Sequence, residues 1–311
     1  YDAGVEKFFQ AALSDMESYY ANYSDEYTDS QDSPTYEEDY DTYYEPSFGE
    51  RMSYFFGNLF QQMYSMVDTI IVGQYLGVDA LAAVGSVGSL QFLIIGFCTG
   101  SCAGLSIPVA QRFGAQDEDN LRRYVANSAW IALAMSVVIT IVTVLLARNI
   151  LVWMQTPENI LEDAYAYFVV ILAGIPTTIL YNLASSIMRA LGDSRRPLYF
   201  LILSSALNVV LDLVFILNFH MGCAGAAWAT ILSQLVSGVL CVVYMVKKLP
   251  ILRMDRAQWR PSAPHIKTLC GMGFPMGLQN SITAIGSVIL SSSVNTLGST
   301  AVEPRVLTEL E

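Results

Sequence analysis

From residue 54 onward the chain alternates long apolar stretches with short polar ones, the apolar stretches lying at about 54–76, 87–111, 124–147, 164–188, 198–219, 222–246 and 269–297. A helix that rises ~1.5 Å per residue needs ~20 mostly apolar residues to cross a hydrocarbon core ~30 Å thick, and all seven stretches are long enough. The second reads Leu90-Gln91-Phe92-Leu93-Ile94-Ile95-Gly96-Phe97, and the third contains Val137-Val138-Ile139. Runs of this length are too long for strands, and lipid offers no partner to an open sheet edge, so helix is the expected state. The pattern predicts an all-α polytopic membrane protein.

Within the spans, small residues recur at helical spacing. Gly96, Gly100 and Gly104 share one face of the second span, and Ala229, Ser233 and Ser237 share one face of the sixth. Such faces let helix backbones approach closely, as expected in a packed bundle. Pro176 in the fourth span and Pro275 at the start of the seventh each remove a backbone hydrogen bond and are expected to kink their helices. An internal repeat is also visible. Tyr75-Leu76-Gly77-Val78-Asp79-Ala80-Leu81 ends the first span and Thr296-Leu297-Gly298-Ser299-Thr300-Ala301-Val302 ends the seventh, with Asn58 and Gln279 at matching distances before them. The seventh helix therefore reads as the first helix of a second six-helix unit.

Charge adds orientation. The loops after the second, fourth and sixth spans hold Arg112, Arg122, Arg123; Arg189, Arg195, Arg196; and Lys247, Lys248, Arg253, Arg256, Arg260, Lys267, whereas the intervening loops hold only Arg148. Lys and Arg concentrate on the cytoplasmic side, so the N-terminus and Arg51 are expected in the cytoplasm and the protein in the inner (plasma) membrane, crossing it several times. His220, at the outer end of the fifth span, reads as an interfacial residue.

Composition separates two regions. The 311 residues are 53% hydrophobic and only 14% charged, well below the roughly 25% charge of an ordinary soluble domain. Residues 1–50 hold 14 of the 28 acidic residues, one basic residue and 9 of the 18 tyrosines; their formal charge of −13 leaves +1 for residues 51–311. Such a segment cannot bury enough apolar surface to offset its ordering entropy, and disorder is expected there, with a short helix near 5–23 or a cation-collecting role as alternatives. It has neither the basic start nor the apolar core of a signal peptide. The expected divisions are an acidic, Tyr-rich tail (1–50), a six-helix lobe (51–248), a cytoplasmic loop between lobes (249–268), the first helix of a second lobe (269–302) and an irregular end (303–311). A start at Tyr1 and a stop just after the repeat begins again read as a fragment.

Several classes of chemistry find no support. Cys98, Cys102, Cys223, Cys241 and Cys270 lie in or beside apolar runs with no CxxC or histidine partner, so they read as small packing residues, with neither disulfide nor metal expected. No GxxxxGK[ST] loop and no nucleophile–base set is present; neither an enzyme, ATP-driven transport nor a cofactor is expected, and neither is a nucleic-acid or an obligate protein partner.

The polar residues inside the membrane are the candidates for function. A carboxylate in the bilayer core costs at least ~2.5–3.5 kcal/mol, so an acid within a span is a functional candidate by default. Asp68 and Asp212 are the two acids well inside these spans. Each lies 14 residues into an outward-running helix, ~21 Å from the cytoplasmic edge, and Thr230 on the inward-running sixth helix falls at the same level. Gln61, Tyr64 and Asp68 share one helix face, as do Asn208 and Asp212. Burial disfavours the charged form of a carboxyl group, and two held close resist being charged together, so the pair is expected to take up H+ or Na+ as a unit and to release a cationic substrate in exchange. The bland alternative is that both acids only tie helices together by hydrogen bonds.

At this point the residues resemble a known family. The run Asn58-Leu59-Phe60-Gln61-Gln62-Met63-Tyr64-Ser65-Met66-Val67-Asp68-Thr69 followed by Gly77-Val78-Asp79-Ala80-Leu81-Ala82-Ala83-Val84-Gly85 is similar to the first-helix signature of bacterial multidrug and toxic-compound extrusion (MATE) transporters. So are Val109-Ala110-Gln111-Arg112-Phe113-Gly114-Ala115, Arg189-Ala190-Leu191-Gly192-Asp193-Ser194 and Asn208-Val209-Val210-Leu211-Asp212, and together these motifs cover about 54–301. The resemblance implies a six-helix N-terminal lobe of a two-lobe transporter plus a seventh helix, and export of small cationic organic compounds against an inward H+ or Na+ gradient. It further implies cation coupling at Asp68, Asp212 and Asn208, with Tyr64, Gln61, Thr230, Asn182 and Gln279 facing the substrate cavity. A flippase for lipid-linked oligosaccharides, of the same wider superfamily, is the alternative; it is expected to carry basic residues in its cavity, and no span here does. Residues 1–50 and Glu303-Pro304-Arg305 depart from the family pattern.

Overall fold

The computed structural model describes residues 66–301 except 155. Among these the chain forms eight α-helices: α1 (Met66–Leu76), α2 (Val78–Gly114), α3 (Glu118–Trp153), α4 (Glu158–Ala173), α5 (Ile175–Ala190), α6 (Arg195–Leu213), α7 (Gly222–Lys248) and α8 (Ala263–Ala301). A π-helical turn, Val214–Asn218, extends α6, and a 3-10 turn, Pro250–Leu252, follows α7. Four helices, α2, α3, α6 with its π turn, and α7, are long and apolar enough to cross a bilayer; α4 and α5 form a fifth crossing, bent by 44°. Along α3, Leu133, Val137, Val138, Ile141, Val142 and Leu145 all point outward. That face suits acyl chains, not water.

Three of the helices begin well before their apolar stretches, because residues at the turn rather than apolar ones set their ends. α2 starts at Val78 instead of 87: Gly77 takes φ 91, a left-handed conformation open to glycine, and turns the chain in one residue. α3 starts at Glu118, where Asp117 Oδ1 accepts from the backbone N–H of Asn120 at 3.3 Å. α8 starts at Ala263 instead of 269; the Ser262 carbonyl accepts from Ile266 N–H, and Pro264 sits in the first turn, where no donor is needed.

The break expected at Pro176 falls at Gly174, between α4 and α5. A Cβ at Gly174 would collide with the side chain of Ile231, so the glycine lets α7 press into the bend. Pro275 behaves differently: it lies inside α8, which stays helical through it and on through Gly298 to Ala301. The parallel drawn between Gly298 and the chain-turning Gly77 therefore does not extend to local structure. His220 is exposed, at φ 53, in the turn between the π segment and α7.

The small-residue face of α2 meets α8. A Cβ on Gly104 would lie 2.6 Å from the Met272 carbonyl oxygen, and one on Gly100 would strike Asn280 and the Met276 carbonyl. In return, a Cβ on Gly277 would strike Ser101 and the Phe97 carbonyl, and Ser281 Oγ donates to the Leu93 carbonyl at 3.3 Å. The two backbones thus touch over about three turns. The matching face of α7, with Ala229, Ser233 and Ser237 all buried, packs into the bundle, and Ser237 Oγ donates to the Phe200 carbonyl on α6 at 3.0 Å. Cys98, Cys102, Cys223 and Cys241 are buried in the same interior.

At the basic end, the segment between α7 and α8 is laced to the start of α3. Arg122 Nε donates to the Ile251 carbonyl at 2.7 Å, Gln258 Nε2 to Asp119 Oδ1 at 2.8 Å and Trp130 Nε1 to the Trp259 carbonyl at 3.0 Å. Ser262 N–H donates to Asn127 Oδ1 at 2.9 Å, and the His265 ring bridges Ser262 Oγ and Asn120 Oδ1 while standing edge-on to Tyr124. The Gln258 hydrogen bond holds the Asp119 carboxyl below the usual carboxylate range. Burial, then the nearby Arg123 and Arg112, hold the His265 imidazole below its ordinary value, with Asp119 opposing them.

Two outcomes follow. Gly104→Ile should separate α2 from α8 and lower the melting temperature of the solubilised protein by several degrees, an overpacking cost of ~1–3 kcal/mol; Gly88→Ala, whose added carbon meets nothing within 4 Å, should not lower it. Because the folded state resists protonation of His265, stability should fall as pH drops through and below the ordinary imidazole range, and His265→Gln should flatten that part of a melting-temperature profile against pH.

Candidate functional site

α1 and α6 each carry one intramembrane acid, and the fold brings the two together. The side chains of Asp68 and Asp212 meet within hydrogen-bonding reach. Asp212 and Asn208 are fully buried, one helical turn apart on the same face of α6, while Asp68 is partly buried. Asn208 Nδ2 donates to Thr230 Oγ1 on α7 at 3.5 Å, and Thr230 Oγ1 donates in turn to the Ala226 carbonyl at 3.0 Å. Three helices therefore contribute to one polar layer, as the equal depths of Asp68, Asp212 and Thr230 imply.

The layer is rich in acceptors and poor in donors. Asp68 Oδ1, both carboxyl oxygens of Asp212 and Asn208 Oδ1 are buried, and none receives a hydrogen bond from the described residues. Orphaned buried acceptors are uncommon and costly, and a proton or a small hard cation would satisfy several of these at once. Among the described residues no group of three or more His, Cys, Asp or Glu side chains gathers as a metal centre would require. The backbone is also unusual here, since α6 widens into its π turn two residues after Asp212; such turns often sit at functional positions.

Two residues that sequence reasoning missed complete the layer. Tyr167 on α4 is buried close to the Gln91 side chain of α2 and to both aspartates. Gln91 is an amide within an otherwise apolar run, and that isolation was the available signal. The other candidates separate. Asn182 on α5 lines a cavity nearer the basic end, beside Thr178, whose hydroxyl donates to Gln234 Oε1 at 2.7 Å. Gln279 is exposed on α8, away from the aspartates. Gln61 and Tyr64 lie outside the described residues, as do the tail 1–50 and the end 303–311.

Comparison with known proteins fits this geometry. Residues 54–214 match the MatE family profile. The chain is 31% identical over 268 residues to "Probable multidrug resistance protein YoeA" of Bacillus subtilis, covering 82% of this chain and 58% of the relative. It is 26% identical over 260 residues to "Probable multidrug resistance protein NorM" of Thermotoga maritima, covering 82% and 54%. Among solved structures, a MOP superfamily transporter from Pyrococcus furiosus superposes with a TM-score of 0.72 at 30% identity, covering 78% of this chain and 53% of that one. An inward-facing and an outward-facing MATE transporter superpose at 0.67 and 0.71, both at 30% identity, covering 72% and 76% of this chain and 51% and 52% of theirs. The chain thus spans about half the length of the relatives it matches.

Asp68→Asn replaces an acceptor facing Asp212 with a donor amide, and a hydrogen bond to a charged partner contributes ~1–3 kcal/mol. The melting temperature of the solubilised protein at alkaline pH should rise by several degrees; a fall would show that the two side chains do not face each other.

Proposed function

The chain belongs to the MatE family, a family of membrane transporters and not enzymes, and from that premise we propose that it supplies the first half of a cation-coupled antiporter that exports cationic, drug-like organic compounds by alternating access. The observation that carries this reading is the meeting of Asp68 and Asp212 in a buried layer where four acceptor oxygens find no donor among the described residues. Two carboxylates cannot both stay charged at such close range in a low dielectric without a large penalty, so the layer favours capture of a positive ion. A proton on one carboxyl group gives it a donor for the other, and a sodium ion would bridge both with Asn208 Oδ1 and Thr230 Oγ1.

Coupling then follows from linkage. If the ion binds one conformation of the bundle better than the other, and the cargo does the reverse, a gradient of the ion drives the cargo the opposite way. The chain resembles inward- and outward-facing relatives about equally, which favours this half moving as one body against the other. The alternation of Lys and Arg between loops supports placement in the inner (plasma) membrane with the N-terminus in the cytoplasm. Among the cargo-facing candidates, Gln61, Tyr64 and Gln279 belong to the helices expected to border the second half.

In cells expressing the full open reading frame, Asp68→Asn and Asp212→Asn should each reduce gradient-driven efflux of a fluorescent organic cation at least tenfold, with membrane insertion unchanged. Wild-type efflux in both variants would remove the coupling site.

A further inference from the structure

A second polar region lies between the aspartate layer and the basic end of the bundle. It is a cavity lined by Thr99 of α2, Thr178 and Asn182 of α5, Ser204 and Ser205 of α6, and Gln234 of α7, with Ser237 below them. Along α6, Asp212, Asn208 and Ser204 are all buried and fall one turn apart on a single face. Along α7, Thr230, Gln234 and Ser237 follow the same course, and Asn208 joins the two columns through Thr230. Counted from the basic ends of their helices, Ser204 and Ser237 stand ~14 and ~17 Å deep, and Asp212 and Thr230 ~26 and ~27 Å deep. A continuous polar seam therefore runs from the acids down into the cavity.

Volume decides what the cavity takes. Its ≈ 50 Å3 of room for water centres holds about three to five waters at ~10–15 Å3 each. Drug-sized ligands occupy pockets of ~300–1,000 Å3. Alongside Ile95, Leu201 and Tyr181, the lining offers hydroxyl and amide groups and no charged side chain, so it can hydrogen-bond water without trapping an ion. Beyond the cavity, Phe200 and Tyr244 stand edge to face at 6.1 Å, and Arg196 covers the Tyr244 ring at 5.1 Å, which makes an aromatic plug at the basic mouth.

We propose that this cavity is a water-filled vestibule through which the first half alone passes the coupling proton between the Asp68–Asp212 pair and the cytoplasm. The proposal rests on reading that pair as the coupling site. One proton leaves a carboxyl group into the seam, and one leaves the last water at the Phe200–Tyr244 plug. Each water and hydroxyl between them accepts one proton and donates one, ending neutral. The Thr230 hydroxyl, which donates to the Ala226 carbonyl, borders the path without relaying, and Asn208 Oδ1 seats a water hydrogen. Asn182 accordingly belongs with the water path and not with the cargo.

The test places single cysteines, Ser204→Cys or Ser237→Cys, in the full-length protein from which the native cysteines have been removed, reconstituted in vesicles of each orientation. A small charged methanethiosulfonate should modify both from the cytoplasmic side at least tenfold faster than from the other, and faster still with Tyr244→Ala. Leu145→Cys, on the lipid face, should stay unmodified. Separately, Ser204→Val with Ser237→Val should slow gradient-driven efflux about tenfold while leaving cargo binding unchanged. Unreactive cysteines beside inactive aspartate variants would overturn the vestibule and leave the coupling site standing. Reactive cysteines with normal efflux in the valine variant would show water that carries no proton, and would overturn the path. Reactive cysteines with fully active aspartate variants would instead overturn the coupling site, and the path with it.

Discussion

Two carboxyl groups face each other in a place that water does not freely reach, and much of the surrounding architecture follows from what it takes to keep them there. Neither helix could hold its acid alone: an isolated charged side chain in the hydrocarbon core is expensive, and its helix would do better to turn it elsewhere. α6 buries Asp212 and Asn208 on one face against α7, and α1 presents Asp68 to that face. Tyr167 and Gln91 border the layer from α4 and α2. Among the described residues four acceptor oxygens of this layer are left without a donor.

The frame around the layer is rigid for reasons that owe nothing to charge. α2 and α8 touch backbone to backbone, glycine against carbonyl, a mode of association that works in lipid, where apolar side chains gain little by meeting each other. At the basic end the segment after α7 is bound to α3 through side chains of Asp119, Asn127 and Trp130. α8 therefore leaves the bundle from a fixed point and in a fixed direction.

Much of this was written in the order of residues, and the reasons it was readable are physical. Depth along a helix is arithmetic, so Asp68, Asp212 and Thr230 could be placed at one level from the sequence, and the structure brings the two acids together. Helix starts were misjudged because a hydropathy pattern registers apolar residues and is blind to caps: Gly77, Asp117 and Ser262 each start a helix before its apolar stretch begins. Gln91 and Tyr167 were overlooked because their roles depend on which neighbours they find across the bundle, and no local spacing encodes that. Gln279 shows the converse, since its match to Asn58 along the chain says nothing of its surroundings in space. α8 stays helical through Pro275, while the break near Pro176 settles on Gly174, where the absence of a side chain admits Ile231.

That bend divides one membrane crossing into two rods with separate hydrogen-bond ladders. Tyr167 hangs from the outer rod beside the acids; Thr178 and Asn182 hang from the inner one beside the water-sized chamber. A crossing built as a single straight rod would transmit every displacement end to end, and both compartments would breathe together. With an elbow at Gly174, the displacement of one rod need not be carried whole into the other.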